Sequence, residues 1–481
     1  MYIYRFCIVC IVIIILTVLR QVHIIQLNSY NLDQELLWYK KNAASFVMNI
    51  MLLISSILYF ELRIVFMYFI IIIAMLGLLI ENFPHKQKKK LVFTKRVIRL
   101  IFLCTVFFVI FLIPSFIYKN DFGLKFAVYA LALSPVIIFI AYLILLPIEN
   151  GFRKNFMREA SYIMEENPNL YTIGITGSFG KTSVKYYLNQ LLKTKYLVCI
   201  TKESYNTAMG ATLTIKNELK NIDDIFICEM GARRVGDIKE ICDIVSPDGC
   251  IITAVGDMHL DTFKTIDNVL KTKFELVDAT YDNDKKINKV SDGIVLLNGD
   301  NDLIREKAKG YKFSNKKMYF YGLNDTNDFY TTETRYGSDG IEFKFKSKIK
   351  EYDGIMIKTH LLGRYNIMNL VAAISYALLM GVDTFDIKNE VSKIEAVPHR
   401  LQLLDMDKNN LIIDDAYNSN PNGAKNACDV IKTFDGYVKI VITPGMVELY
   451  DMQDIENEKF AEYAGKVVDY AVVVGHTNKL A

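Results

Sequence analysis

The residues best placed to do chemistry sit in one loop, Gly177-Ser178-Phe179-Gly180-Lys181-Thr182-Ser183, which follows the apolar, β-branched run Tyr171–Thr176. Two glycines allow backbone N–H groups to turn inward around phosphate oxygens. A helix beginning at Lys181 adds the positive end of its dipole. Lys181 would reach the β- and γ-phosphates of a nucleotide, and Thr182 would place a hydroxyl on Mg²⁺. Thr176, Gly177, Ser178, Phe179, Gly180, Lys181, Thr182 and Ser183 are therefore the candidate nucleotide-binding residues. The general G-x-x-x-x-G-K-[ST] pattern calls for glycine at position 175. This chain has Ile175, with Gly174 one residue too early. Glu229 ends a second apolar run, Ile225–Glu229. A carboxylate at the carboxyl end of a strand lies where an α/β sheet opens its site, and its oxygen suits Mg²⁺.

The elements that must hold these groups are legible in the pattern. Short runs rich in β-branched residues, at Thr172–Thr176, Ile225–Glu229, Cys250–Thr253, Ile294–Asn298, Met318–Tyr321 and Ile341–Phe345, read as strands. They alternate with helical periodicity, as in Val184, Tyr187, Leu188, Leu191 and Leu192 after Lys181, and again over Asn366–Met380. This predicts an α/β domain with a mainly parallel sheet and antiparallel hairpins over 334–360. A second α/β unit starts near Val397, with strands at Leu411–Asp414, Val438–Thr443 and Tyr470–Gly475.

The first 150 residues are of another kind. The 481-residue chain is 52% hydrophobic, and the excess is concentrated there. Five apolar segments, roughly 6–19, 43–60, 64–80, 99–118 and 126–148, approach the ~20 residues a helix needs to cross a bilayer. Seven basic residues (Lys86, Lys88, Lys89, Lys90, Lys95, Arg96 and Arg99) follow the third segment. By the positive-inside rule this predicts a multi-pass cell-membrane region with its N-terminus outside and residues 149–481 in the cytoplasm. The same run could engage anionic lipid headgroups. Few ionisable groups fall inside the segments, which argues against a transporter. A net charge of +3 makes no case for nucleic acid. The eight cysteines lack the spacing of a zinc site or a dense disulfide framework, so a reducing compartment is expected. The predicted domains are 1–150 (membrane, about five helices), 151–396 (nucleotide-binding) and 397–481.

The loop variant, together with eight blocks in order, resembles the Mur ligases, the ATP-dependent amide-forming enzymes of peptidoglycan precursor synthesis. The blocks are Ile175–Ser183, Ser204–Gly210, Glu229–Ala232, His259–Phe263, Lys271–Glu275, Gly363–Asn369, Arg400–Gln402 and Asp414–Pro421. They are most similar to the branch that adds D-alanyl-D-alanine to a UDP-muramoyl tripeptide. The resemblance covers about 170–481. It implies a P-loop central domain, a Rossmann-like last domain, and a reaction in which ATP phosphorylates a carboxylate and an amine then displaces phosphate. It further implies that Glu229 holds the Mg²⁺ bridging the ATP phosphates and that His259 helps bind a second Mg²⁺. Lys273 would be carbamylated as a metal ligand, with Lys271 the competing position. Asn366 and Asn369 would face the adenine, with Tyr365 where the family usually has His. Arg400 would close onto the γ-phosphate, with Asp415 facing the same cleft. Catalytic roles thus fall to Lys181, Glu229, His259, Lys273 and Arg400.

Two departures qualify the resemblance. Membrane segments stand where the family grips its UDP-sugar, which leaves a UDP-linked acceptor, a lipid-linked acceptor and another acid as alternatives. The stretch from Val397 to Ala481 is 85 residues, shorter than the family's last domain, which is therefore expected to be incomplete. The expected substrates are a muramoyl-peptide precursor and an amino acid or dipeptide amine, with the bilayer and cell-wall synthesis proteins as partners. Two alternatives are a membrane-associated ligase for another amide polymer, such as poly-γ-glutamate, and a non-catalytic ATP-binding scaffold for wall synthesis.

Overall fold

The computed structural model describes residues 2–83, 89–118, 120–202, 204–256, 258, 260–283, 293–312, 317–407, 410–417, 419–447, 449 and 452–475. It divides into two compact units, Met1–Lys154 and Asn155–Ala481.

The first unit is helical: α1 (Tyr2–Leu27), α2 (Leu32–Lys41), a 3₁₀ turn Ala43–Phe46 running into α3 (Val47–Phe60), α4 (Met67–Asn82), α5 (Lys95–Ile117), α6 (Asp121–Ala132) and the first part of α7 (Ser134–Glu165). Among the described residues, four stretches are long and apolar enough to cross a membrane: Arg5–Leu27, Ala43–Phe60, Lys95–Ile117 and Ser134–Glu165. The first is longer than the sequence segment suggested. The third segment forms only the 16-residue α4, about 24 Å long at 1.5 Å per residue and short of a ~30 Å hydrocarbon core. The fifth segment is not one helix. It breaks at Leu133, between α6 and α7, because Pro135 has no N–H to give and its ring clashes with the preceding turn. The carbonyls freed by the break are met inside the unit. Asn49 Nδ2 donates to the carbonyls of Leu131 and Ala132 at 3.3 Å each. Ser134 Oγ donates to that of Leu131 at 2.7 Å. Part of the basic run is tied down as well, since Arg99 forks onto Glu149 at 2.5 and 2.9 Å.

The second unit continues with β1 (Tyr171–Thr176), α8 (Lys181–Leu192), β2 (Val198–Ile200), α9 (Ala208–Asn217), β3 (Ile225–Met230), α10 (Asp237–Val245), β4 (Gly249–Ile252), α11 (Leu260–Phe263), α12 (Ile266–Asn283), β5 (Ile294–Asn298), α13 (Asp302–Ala308) and β6 (Lys317–Tyr321). Next come β7 (Phe329–Gly337), β8 (Gly340–Ser347), β9 (Ile355–Thr359), α14 (Arg364–Leu379) and α15 (Thr384–Val391). The nine strands form one sheet in the order β2-β3-β1-β4-β5-β6-β7-β8-β9. It is parallel as far as β7, and β7, β8 and β9 pair antiparallel, as the 334–360 pattern predicts.

Both faces of the central strands are covered, which is why they read as unbroken apolar runs. Ile173, Ile175, Ile225 and Ile227 pack with α8 and α14 on one face. Phe226, Cys228, Cys250 and Val295 pack with α9, α10 and α12 on the other. Gly174 explains the displaced glycine of the loop motif. A Cβ there would lie 2.5 Å from Leu276 Cδ1 of α12, so the missing side chain lets α12 seat closely on β1. Ile175, one residue on, is fully buried on the opposite face.

Beyond α15 lie β10 (Gln402–Asp407), β11 (Asn410–Asp414), α16 (Pro421–Lys432), β12 (Ile440–Thr443), α17 (Gln453–Gly465) and β13 (Tyr470–Val473). β10 and β11 form an antiparallel hairpin, and β10 was not anticipated. β12 and β13 pair in parallel with α17 between them in sequence, a βαβ unit.

Gly174→Ala is expected to lower the unfolding free energy by about 1–3 kcal/mol, the usual cost of overpacking a filled core. Denaturant unfolding followed by circular dichroism measures it. A neutral result would mean that α12 is free to shift.

Candidate functional site

The chain passes from β1 to β2 and β3 on one side and to β4 on the other. A crevice therefore opens beyond the carboxyl end of β1, where such sheets place their ligands. The phosphate loop fills this crevice. Gly177 has φ +152°, and a Cβ there would lie 2.0 Å from Thr253 Oγ1. Gly180 has φ +86°, and a Cβ there would lie 2.5 Å from Asn369 Oδ1. A Cβ is strained at both positions. Ser178 N–H donates to the Ala254 carbonyl at 2.8 Å, and the Thr253 hydroxyl donates to the Phe179 carbonyl at 2.5 Å, so the β4 end clamps the loop. Lys181 Nζ curls back onto the carbonyls of Gly177 at 2.6 Å and Ser178 at 3.2 Å.

Glu229 is the electrostatic centre. It is 2% exposed. Its Oε1 accepts from the Thr182 hydroxyl at 3.1 Å and from Asn206 Nδ2 at 3.4 Å. Its Oε2 lies 3.0 Å from Nζ of Lys185, a lysine with no exposed side-chain surface. Sequence reasoning assigned no role to Lys185 or Asn206. The available signal for Lys185 was its position, one helical turn after Lys181.

Burial lowers the affinity of Lys181 for its proton, with Glu229 opposing and Arg400 adding to the effect. Lys273, on α12, is 3% exposed. Burial, helped by Lys181, pulls its ammonium down to about 7, against the pull of Asp237 and Glu275. Much of this amine is therefore uncharged near neutral pH. Lys271 is exposed. The nearby Glu275 caps α10, accepting from the N–H groups of Gly236 at 2.7 Å and Lys239 at 2.9 Å.

The segment after α15 supplies the far wall. Arg400, Asp415, Asn420 and Asn426 line the same cavity as Ser178 to Ser183, Tyr365, Asn366 and Asn369. The Arg400 guanidinium lies 4.1 Å over the Tyr417 ring. Burial lowers its proton affinity, with Asp415, Tyr417 and Glu229 opposing. Burial raises the Asp415 carboxyl to about 6, and its Oδ1 accepts from Leu401 N–H at 3.2 Å. Arg400 lies between two residues with left-handed backbone, His399 at φ +61° and Leu401 at φ +46°. Tyr365 meets Phe179 edge to face at 5.7 Å.

Several expected ligand residues have structural partners. Thr176 donates its hydroxyl to the Met230 carbonyl at 2.8 Å, latching β1 to β3. Asn366 uses both ends of its amide within the fold, accepting from Tyr187 OH at 3.0 Å and donating to the Leu362 carbonyl at 2.9 Å. Ser183 lines the cavity. His259 lies outside the described residues.

Residues 175–377 match the family model described as the Mur ligase middle domain. The chain is 29% identical to the UDP-N-acetylmuramoyl-tripeptide--D-alanyl-D-alanine ligase of Bacillus subtilis, over 62% of this chain and 60% of that protein. It is 27% identical to the Escherichia coli ligase of the same name, over 62% of each. The MurF ligase of Thermotoga maritima, solved in complex with ADP, superposes with a TM-score of 0.59 at 25% identity, covering 68% of this chain and 71% of that one. The chain spans about three fifths of the length of the curated relatives it matches. The loop Gly177–Ser183, Glu229 and Lys273 fall inside the segment that matches this model, whereas Arg400 and Asp415 lie beyond it.

Gly180→Ala should leave the fold intact. It should weaken binding of a fluorescent ATP analogue by roughly 10- to 100-fold, because it forces a side chain into strained backbone costing about 1–3 kcal/mol. Equal affinity in the two proteins would remove this loop from the nucleotide site.

Proposed function

We propose that the chain is an ATP-dependent ligase that joins the terminal carboxylate of a muramoyl-peptide precursor to D-alanyl-D-alanine or a similar amine. The observation that carries this reading is one cavity receiving the phosphate loop, from one side, and Arg400 and Asp415, from the other. The name shared by the similar ligases of Bacillus subtilis and Escherichia coli supports the choice of substrates.

The donor set fits Mg²⁺. Thr182 Oγ1 and Glu229 Oε1 are 3.1 Å apart, close to the about 2.9 Å edge of an octahedron with 2.0–2.1 Å bonds. Among the described residues no three His, Cys, Asp or Glu side chains converge, so phosphate oxygens and water would complete the shell. A metal held there would neutralise phosphate charge as the γ-phosphoryl group moves.

The chain's own residues do the rest. The loop N–H groups and Lys181 cradle the β- and γ-phosphates. The acceptor carboxylate attacks the γ-phosphorus, ADP leaves, and an acyl phosphate forms. Arg400, a planar fork of donors, holds charge developing on the transferred group. The amine then attacks the acyl carbon and inorganic phosphate departs. Tyr365 offers its ring to the purine. Lys273, held partly as the free amine near neutral pH, is available to CO₂ as a nucleophile and gives up its proton as the carbamate forms. The resulting carbamate is an anion within electrostatic reach of Lys181. The first unit anchors the enzyme in the cell membrane, with the N-terminus outside and the ligase unit in the cytoplasm.

Phosphate release by the detergent-solubilised protein tests the reading. With Mg²⁺ and ATP, release should require both UDP-N-acetylmuramoyl tripeptide and D-alanyl-D-alanine, and Lys181→Ala should reduce it by at least roughly 100-fold. ATP binding without release on any acid and amine pair would instead favour a non-catalytic scaffold.

The Lys273 amine titrates at about 7 in the fold, below its ordinary 10.5. The fold therefore prefers the uncharged form, and its cost rises as pH falls from 10.5 toward 7. A ¹³C carbamate signal from labelled bicarbonate should grow as pH rises through about 7. It should be absent in Lys273→Met. A signal that persists in that variant would assign it to another amine.

A further inference from the structure

Lys185 is the buried cation that neither the loop motif nor the reaction uses. It lies on α8, one turn beyond Lys181. Its side chain is 0% exposed, and its Nζ is 3.0 Å from Glu229 Oε2. The two oxygens of Glu229 are thus divided. Oε2 faces Lys185, and Oε1 faces the Thr182 hydroxyl and the Asn206 amide. An ammonium at this distance cancels most of the carboxylate's attraction for a second cation. Lys181 and Arg400 add positive charge that is felt at the same carboxylate. Against these three cations stand Glu229 and, beside Arg400, Asp415, so among the described residues positive charge is in excess and, without nucleotide, the site disfavours a free divalent ion. The phosphates of ATP reverse that balance.

We propose that Lys185 is the fixed counter-ion of Glu229. It turns Oε1 toward the metal and makes metal entry depend on the nucleotide, so that Mg²⁺ arrives with ATP and not before it. This rests on the reading of Glu229 as a metal ligand. Lys185 is a positioning residue, since it would touch neither metal nor substrate. The order matters chemically. A free Mg²⁺ seated on Glu229 and Thr182 beforehand would hold ordered water where the β- and γ-phosphate oxygens must come.

Mn²⁺, a paramagnetic substitute for Mg²⁺, reads this directly by electron paramagnetic resonance on the full-length protein in detergent. The wild type should bind negligible Mn²⁺ alone and bind it tightly once a non-hydrolysable ATP analogue is added. Lys185→Gln keeps a donor for Oε2 but removes the charge. It should raise Mn²⁺ affinity without nucleotide at least roughly tenfold and shrink the gain from adding nucleotide. Lys185→Arg should behave as wild type. A folded Lys185→Gln protein that still refuses Mn²⁺ alone would overturn the proposal. So would tight nucleotide-free Mn²⁺ binding by the wild type, a result independent of how any variant folds. Glu229→Gln separates the two readings: it should abolish nucleotide-dependent Mn²⁺ binding, and retention would instead refute Glu229 as a ligand.

Discussion

The constraint on which the second unit depends is charge balance around one buried carboxylate. Lys181, Lys185 and Arg400 act on Glu229, Lys273 in turn feels Lys181, and three of these five groups are almost fully buried. Burying charge is costly unless it is paired. The fold meets that demand in two ways. It pairs Lys185 with Glu229 at 3.0 Å, and it shifts the Lys273 equilibrium toward the neutral amine. What remains is an excess of cation aimed at the end of β1. A polyphosphate is the chemical complement of such a site.

The local structure serves this arrangement. Gly174 brings α12, and with it Lys273, close to β1. Gly177 and Gly180 bend the loop where a Cβ is strained. Glu275, two residues beyond Lys273, spends its carboxylate on the start of α10 and so fixes α12 against α10. On the opposite face of the sheet, the Asn366 amide links the start of α14 to α8 through Tyr187. Arg400 is held between two residues in left-handed backbone. Strained backbone of this kind is kept where geometry matters.

The first unit follows a different rule. In the membrane location proposed for it, no water reaches the bilayer core and every backbone carbonyl needs an internal partner. The break at Leu133 is tolerable because Asn49 and Ser134 reach the freed carbonyls. An apolar count over 126–148 reads through such a break, since hydropathy is blind to Pro135 and to a partner some eighty residues earlier.

Motif and periodicity alone determined the parallel α/β sheet, the loop of Thr176 to Ser183, and Glu229 at a strand end. These are local properties, set by residue type, spacing and strand alternation. The sequence also determined that long apolar helices recur within the first 150 residues. Only the tertiary structure decided which polar groups were already engaged. Thr176 and Asn366 turn inward to structural partners. Lys271 faces solvent while Lys273 is buried. Lys185, silent in the motif, meets Glu229 across 44 positions of chain. Such pairings are set by how α8, α12 and β3 pack against one another, and no window of sequence contains both partners.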